Sequence, residues 1–503
     1  MSGDRALRRA VRPAVVVTYT AQLGLVLGVL TLPPAAVCAL CGDGDRALRL
    51  AITAVALAAV GWVLGRRAAP RDVQTHEAMV IAALAFALAA GALAWPLAGP
   101  DLGALDAVFE AVSGVTTTGL STLDLGQDRG FGFWFLRAWM QWFGGFGIVA
   151  LSLALMRQPG SVSLGLAFDS EGERDPVRSA RGHARTVAGI YVALTAAGVA
   201  ATALMGASFG DAVLYTMSAV STGGFAPRPD SLASLPRAVT WTVSLVCLLG
   251  AMPLLVYLRG AARPDLLRQV ALVLGLCAAG TAMLAGLMVY GGASPGSALV
   301  DAALLAVSAQ STAGFAASDV GALDPAAKLV LLGGMLVGGA EGSTAGGVKV
   351  LRLLVAARVV GLVLARPALP AHAVQRPTAG GRALDDGDVR AVLAVLVLYA
   401  AALLLSWLPF VIAGHPPIDA LFDVGSALGT VGLSAGVVDA SLAAPLKGVL
   451  CVDMLLGRLE IVAWLIVLRP ATWFGPRRGA RPAATAASVA RTGARSDPDR
   501  SSS

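Results

Sequence analysis

Charge is what this chain has least of. Only 14% of its 503 residues are Asp, Glu, Lys or Arg, where a soluble domain carries about a quarter. That scarcity excludes an ordinary cytosolic enzyme. Cysteine is sparse too, five in all, and only Cys38 and Cys41 form a CxxC. A structural zinc site takes about four ligands, so the lone pair reads as incidental, and no disulfide framework is implied. The chain is basic, with net charge +7 and a pI near 9.5. Its basic residues fall between apolar stretches, the positive-inside pattern of a membrane protein and not the basic patch of a nucleic-acid binder. What remains is apolar: 56% hydrophobic residues, 59 glycines and a mean hydropathy of +0.74. This composition predicts an all-α polytopic membrane protein, its helices brought close by small residues.

Apolar runs long enough to span, about 17–25 residues, lie near 14–40, 47–65, 77–98, 132–156, 185–205, 238–258, 268–290, 326–363, 389–413 and 446–468. The first follows Arg5, Arg8, Arg9 and Arg12. It is longer than the roughly 7–15 apolar residues of a signal peptide, so it is expected to stay as a helix. Four shorter apolar segments, near 106–120, 211–225, 301–315 and 419–433, are too short to cross and should be re-entrant. Arginines and lysines cluster after every second span, at Arg66 to Arg71, Arg157 to Arg185, Arg259 to Arg268, Lys349 to Arg382 and Arg469 to Arg478. If the ten spans alternate, these sites and both termini are cytoplasmic. The Arg-, Ala-, Ser- and Pro-rich stretch 475–503 is expected to be a disordered tail.

The four short segments are copies of one another: DAVFEAVSGVTTTGLS from Asp106, DAVLYTMSAVSTGGFA from Asp211, DAALLAVSAQSTAGFA from Asp301 and DALFDVGSALGTVGLS from Asp419. They align without a gap at spacings of 105, 90 and 118 residues, with Ser113, Ser218, Ser308 and Ser426 in one column and Thr117, Thr222, Thr312 and Thr430 in another. Gly119, Gly224, Gly314 and Gly432 close the motif. Such internal repetition is an architectural signal before it is a functional one. The pattern predicts a short helix N-capped by Asp, ending where Thr-x-Gly turns the chain extended. Non-helical backbone at membrane depth must line a cavity or be buried in protein. Four such segments about one axis would form a ring of main-chain oxygens able to replace the hydration shell of a potassium ion, as in potassium channels. Hairpins that merely cap helix ends would explain neither the recurrent Thr-x-Gly nor its fixed distance from Asp.

With these repeats the chain resembles the membrane subunits of the Trk, Ktr and HKT potassium transporters, over about residues 77–470. WMQWFGGFGIV (Trp139–Val149) and MLLGRLEI (Met454–Ile461) are similar to the family's helices after the first and last loops. The two extra N-terminal spans and GGVKVLR (Gly346–Arg352) look like the Trk type, the TrkH family. The resemblance implies four pseudo-symmetric helix–pore loop–helix repeats plus two N-terminal helices. Expected boundaries are 1–75 for the two-helix extension, then 76–160, 183–260, 265–366 and 388–470 for the repeats. It further implies a filter made by Thr116, Thr117, Thr118 and Gly119; Ser221, Thr222, Gly223 and Gly224; Ser311, Thr312, Ala313 and Gly314; and Gly429, Thr430, Val431 and Gly432. In the family, glycine at all four closing positions accompanies potassium preference, and serine in the first accompanies sodium permeation; this chain has Gly119. Gly429 departs from the Thr or Ser of the other copies.

The segment Gly338–Lys349 has five glycines in twelve residues and should unwind within its span. The resemblance makes it a gate beneath the filter, built from Gly342, Ser343, Thr344, Ala345, Gly346, Gly347 and Lys349. Arg458 lies midway along the last run, where an arginine costs about 2.5 kcal/mol or more. It should face the pore or a buried partner, and the family places it as a positive barrier near the gate. Glu460, two residues on, would not face it on a regular helix. Potassium is then cargo and no bound cofactor is expected. The implied partners are membrane lipid, a second copy in a homodimer and a cytosolic nucleotide-binding regulatory subunit, in the plasma (inner) membrane, with no nucleic acid. Rivals are a sodium-permeable or ion-coupled symporter and, on GASFG (Gly206–Gly210), an intramembrane serine protease. That motif needs a strand-to-helix turn with a nearby His and acid. Gly342 to Gly347 has phosphate-loop spacing, but Val348 stands where a lysine is required.

Overall fold

The computed structural model describes residues 10–66, 73–99, 102–127, 129–155, 176–259, 264–368, 370, 378–379 and 382–474. The tail from 475 and several of the loop arginines named above lie outside them. The N-terminal helices are α1 (Pro13–Leu30), α2 (Leu32–Leu40) and α3 (Gly44–Gly65). The first repeat is α4 (Thr75–Leu97), α5 (Ala104–Val115) and α6 (Gly130–Leu155); the second is α7 (Pro176–Leu204), α8 (Phe209–Val220), α9 (Arg237–Gly250) and the short α10 (Val256–Arg259). The third is α11 (Pro264–Tyr290), α12 (Pro295–Gln310), α13 (Pro325–Val337) and α14 (Val350–Ala365); the fourth is α15 (Asp386–Ile412), α16 (Pro417–Leu428), α17 (Ala444–Arg458), α18 (Val462–Leu468) and α19 (Pro470–Trp473). Two two-residue strands, β1 (Thr378–Ala379) and β2 (Arg382–Ala383), pair between the last two repeats. Among the described residues six helices are long and apolar enough to cross a membrane. The fold is the expected all-α polytopic bundle.

Each short helix packs between its own two flanking spans, α5 with α4 and α6, and so on round the chain. Each also packs against the second span of the preceding repeat: α8 on α6, α12 on α9, α16 on α13, and α5 on α17. The last contact closes the circle. The helices approach closely at glycines. A Cβ on Gly144 of α6 would collide with the Val115 carbonyl, one on Gly250 of α9 with that of Val220, and one on Gly457 of α17 with that of Leu428. In three repeats, then, the C-terminal end of the short helix rests on a glycine of its own second span, the small-residue contact that lets membrane helices approach.

Two expectations need correction. The break in the second span of the third repeat is the expected one, but the second spans of the second and fourth repeats, expected as continuous runs, are interrupted as well. α9 stops at Gly250, α13 at Val337 and α17 at Arg458, all short of the roughly 20 residues a crossing helix needs. In the last, Glu460 (φ 60°) and Ile461 (φ 65°) are both left-handed, which ends one helix and starts another. The repeated aspartates, moreover, are not N-caps. Gly103, Ser208 and Pro416 cap α5, α8 and α16, so Asp106, Asp211 and Asp419 sit three residues inside, while α12 starts at Ser294 and carries Asp301 in its second turn. Serine or proline sets the start of α8, α12 and α16, and Gly103 that of α5. The aspartates of the first turn still meet the positive helix end, and two of them tie repeats together: Lys447 of α17 binds Asp106 at 2.6 Å and Lys328 of α13 binds Asp419 at 2.7 Å.

Candidate functional site

Thr117, Thr222, Thr312 and Thr430 follow the short helices directly, and all four adopt left-handed backbone, with φ 55°, 53°, 55° and 49°. A branched residue there costs about 1–2 kcal/mol. The turn is stabilised by the repeated serines: the carbonyls of Ser113, Ser218, Ser308 and Ser426 accept from the amides of Thr118, Gly223, Ala313 and Val431 at 2.8–3.0 Å. That is the 6→1 bond of a Schellman motif. Gly119, Gly224, Gly314 and Gly432 also have positive φ, 92°, 77°, 74° and 99°.

These glycines define a ring. A Cβ on Gly119 would strike the Gly223 carbonyl oxygen, one on Gly224 that of Ala313, one on Gly314 that of Val431, and one on Gly432 that of Thr118. Each extended segment thus lies against the main-chain oxygen of the next, and the fourth returns to the first. All sixteen filter residues named from the sequence are brought to this ring or to the helix ends feeding it. Thr116, Ser221, Ser311 and Gly429 are the C-caps of α5, α8, α12 and α16. Four helix C-termini surround the ring, each with partial negative charge. The arrangement can hold a dehydrated monovalent cation with backbone oxygens alone.

Beneath the ring lies 338–349, interrupting the span between α13 and α14. It is fastened to three repeats. The Thr344 amide donates to Gly250 O at 3.2 Å, and its hydroxyl lies 3.0 Å from Val220 O and 2.9 Å from Gly250 O. The Gly346 amide donates to Thr312 Oγ1 at 2.7 Å and the Gly347 amide to Gly429 O at 3.1 Å. Ser343 Oγ donates within the loop to Ala340 O at 2.6 Å, and the Lys349 ammonium bonds Ala345 O. Gly342 is left-handed at φ 74°, and its carbonyl accepts from the Leu254 amide. Arg458, 3% exposed, donates to Thr344 O at 2.9 Å and to Gly144 O at 3.4 Å. The loop docks on the main-chain oxygen of Gly429, a residue at which a Cβ would crowd Met335 O.

Several participants were not singled out in the sequence. Arg352 pairs with Glu460 at 2.5 Å and with Glu341 at 4.0 Å, so the partner of Glu460 is on α14. Gln141 clamps the second segment, donating to Gly223 O at 2.5 Å and accepting from the Phe225 amide at 3.0 Å. Glu110 and Asp423, fully buried, accept from the residues just past the first and fourth segments: Ser121 Oγ (2.6 Å) and Thr122 N (3.2 Å) for Glu110, Ser434 Oγ (2.7 Å) and Ala435 N (2.6 Å) for Asp423. Both occupy the same column of the repeat, which was the available signal. Ser208 of GASFG is a helix cap accepting from the Asp211 amide at 3.1 Å.

Comparison with known proteins adds the following. The family model for TrkH, a cation transport protein, matches residues 45–263 and 279–472. An uncharacterized cation transporter of Methanocaldococcus jannaschii is 30% identical over 450 residues, covering 88% of this chain and 92% of its own. The Trk system potassium uptake protein TrkI of Halomonas elongata is 31% identical over 482 residues, 92% of this chain and 97% of its own. The crystal structure of the potassium transporter TrkH from Vibrio parahaemolyticus superposes with a TM-score of 0.80 at 26% identity, covering 92% of this chain and all of that one.

Proposed function

The chain belongs to the TrkH family of cation transport proteins, a membrane transporter and not an enzyme, and on that premise we infer that it takes up potassium through the ring described above. The ligands are the main-chain oxygens of the four Thr-x-Gly segments, with the threonine hydroxyls at their inner end. The observation that carries this reading is the closed circuit of glycines and carbonyls, because it is made of main chain alone and all four repeats converge on it. The loop 342–347 with Lys349 is the gate, and Arg458 braces it while placing fixed positive charge on the path. The relatives named for potassium uptake support potassium over sodium as cargo. A homodimer, cytoplasmic termini and a cytosolic nucleotide-binding regulatory subunit complete the proposal by family resemblance.

The test is ion flux into liposomes containing the purified protein. Gly119→Ser adds a side chain at φ 92° against Gly223 O and should raise sodium relative to rubidium uptake about tenfold, a difference of about 1.4 kcal/mol. An unchanged ratio removes the filter assignment. Arg458→Ala should raise resting rubidium leak about tenfold, a barrier lowered by about 1.4 kcal/mol; a leak equal to or below that of the parent chain argues against the barrier. A proton-coupled reading has one feature in its favour: Asp453 on α17 is fully buried and has one carboxylate oxygen without a partner. Imposing a pH gradient on the same liposomes separates the two, since passive conduction leaves rubidium uptake indifferent to it.

A further inference from the structure

The four threonines at the inner end of the filter occupy the same column and the same backbone conformation, yet their hydroxyls are used differently. Thr117 Oγ1 and Thr430 Oγ1 are buried without a hydrogen-bond partner. Thr222 Oγ1 donates to the neighbouring Ser221 carbonyl at 2.7 Å. Thr312 Oγ1 alone accepts from the gate loop, through the Gly346 amide. The next amide, Gly347, donates to Gly429 O, and Gly346 packs so closely that a Cβ there would collide with both Gly429 O and Thr430 Oγ1. The loop therefore presses two N–H dipoles and its backbone onto oxygens of the third and fourth Thr-x-Gly segments.

We propose that the innermost monovalent-cation site of the filter and the closed gate loop compete for the same oxygens, so that a dehydrated potassium ion arriving at Thr312 Oγ1, Thr430 Oγ1, Thr117 Oγ1 and Gly429 O displaces the Gly346–Gly347 amides and loosens the gate. This rests on the filter reading above and gives it a regulation. An N–H donor and a cation both draw on the electron density of these oxygens, and Gly346 lies so close to Gly429 O and Thr430 Oγ1 that not even a Cβ fits between them, so the docked loop occupies the approach a cation would take. The two unpartnered hydroxyls are what a site prepared for an ion and blocked by the loop would show. Unpartnered buried oxygens are costly, and a cation of low charge density relieves that cost. Linkage is reciprocal: if the ion loosens the loop by some factor, the docked loop weakens the ion by the same factor.

The experiment uses the full chain in liposomes carrying Ala345→Cys, a loop position 2% exposed in the closed state. A small cationic thiol reagent reports release of the loop, as labelling above that of the chain without the substitution. Labelling should run about tenfold faster in potassium or rubidium than in choline. Adding Thr312→Val should speed labelling in choline and abolish the dependence on potassium, Thr312→Ser should restore both, and Thr53→Val, at a buried threonine of α3 that bonds Arg49 O, should keep the slow rate in choline. Labelling indifferent to the cation, or equal behaviour of Thr312→Val and Thr53→Val, overturns the competition. The filter reading fails separately: if Gly119→Ser shifts the sodium-to-rubidium ratio while labelling ignores the cation, the filter stands and the coupling alone is wrong.

Discussion

Repeats one and four hold the chain beyond the Thr-x-Gly segment with a buried carboxylate, whereas at the same column repeats two and three have neutral residues. Glu110 and Asp423 each gather a serine hydroxyl and a backbone amide from eleven and twelve residues downstream. At the same column repeat two has Tyr215, whose hydroxyl donates to Ser231 O at 2.9 Å, and repeat three has Leu305. Their backbones are secured from elsewhere, by Gln141 on Gly223 O in repeat two and by Ser231 Oγ, which accepts from the Ala316 amide at 3.2 Å, in repeat three. The ring is thus fourfold in its main chain and only twofold in its supports. The two carboxylates differ as well. Glu110 is matched by Arg137, at 2.9 Å, whose guanidinium also lies 3.8 Å from the centre of the Phe225 ring in the next repeat. Asp423 is held by Ser434 Oγ and the amides of Ala435 and Val438.

Substitution can break this comparison at graded cost. Glu110→Ala strands Arg137, 1% exposed, as an unpaired buried charge, and should cost about 3–5 kcal/mol. Thermal unfolding in detergent should show a large drop in midpoint, which replacing Arg137 with Met in the same chain partly restores. A midpoint unmoved by Glu110→Ala would mean that the pair does not stabilise this region. Asp423→Ala leaves donors without a counter-charge problem, so its cost is smaller, about 1–3 kcal/mol for an unsatisfied buried group. If it exceeds that of Glu110→Ala, the carboxylate of repeat four does more than hold a loop. Tyr215→Phe removes one hydrogen bond and should cost about 1 kcal/mol, the least of the three. An effect as large as that of Asp423→Ala would show the repeats to be buttressed alike.

Much of the ring of Thr-x-Gly segments was legible because its determinants are local. A Thr-x-Gly after a short apolar helix specifies a left-handed turn and an extended run whichever repeat it occurs in. Glu110 and Asp423 were legible in principle, since the aligned copies place both acids in one column. The interruption at 338–349 followed from its glycines. That at Glu460–Ile461 did not, because neither residue favours positive φ and their conformation is imposed by what surrounds them. Arg352 is the third residue of α14, just after the 338–349 loop, and could be seen as basic, but nothing near it in sequence says that its partner is Glu460.

The amino-acid sequence by itself determined the all-helical apolar character, the four short repeats and the backbone conformation of their ends. Within a bilayer each segment must satisfy its own main-chain groups, so that information is carried segment by segment. Only the tertiary structure decided which groups meet: Lys328 with Asp419, Arg352 with Glu460, Arg458 with Thr344 and Lys447 with Asp106, pairs separated by 91, 108, 114 and 341 residues. Those contacts exist because four helices close into a circle, and closure is a property of packing that no single stretch of chain contains.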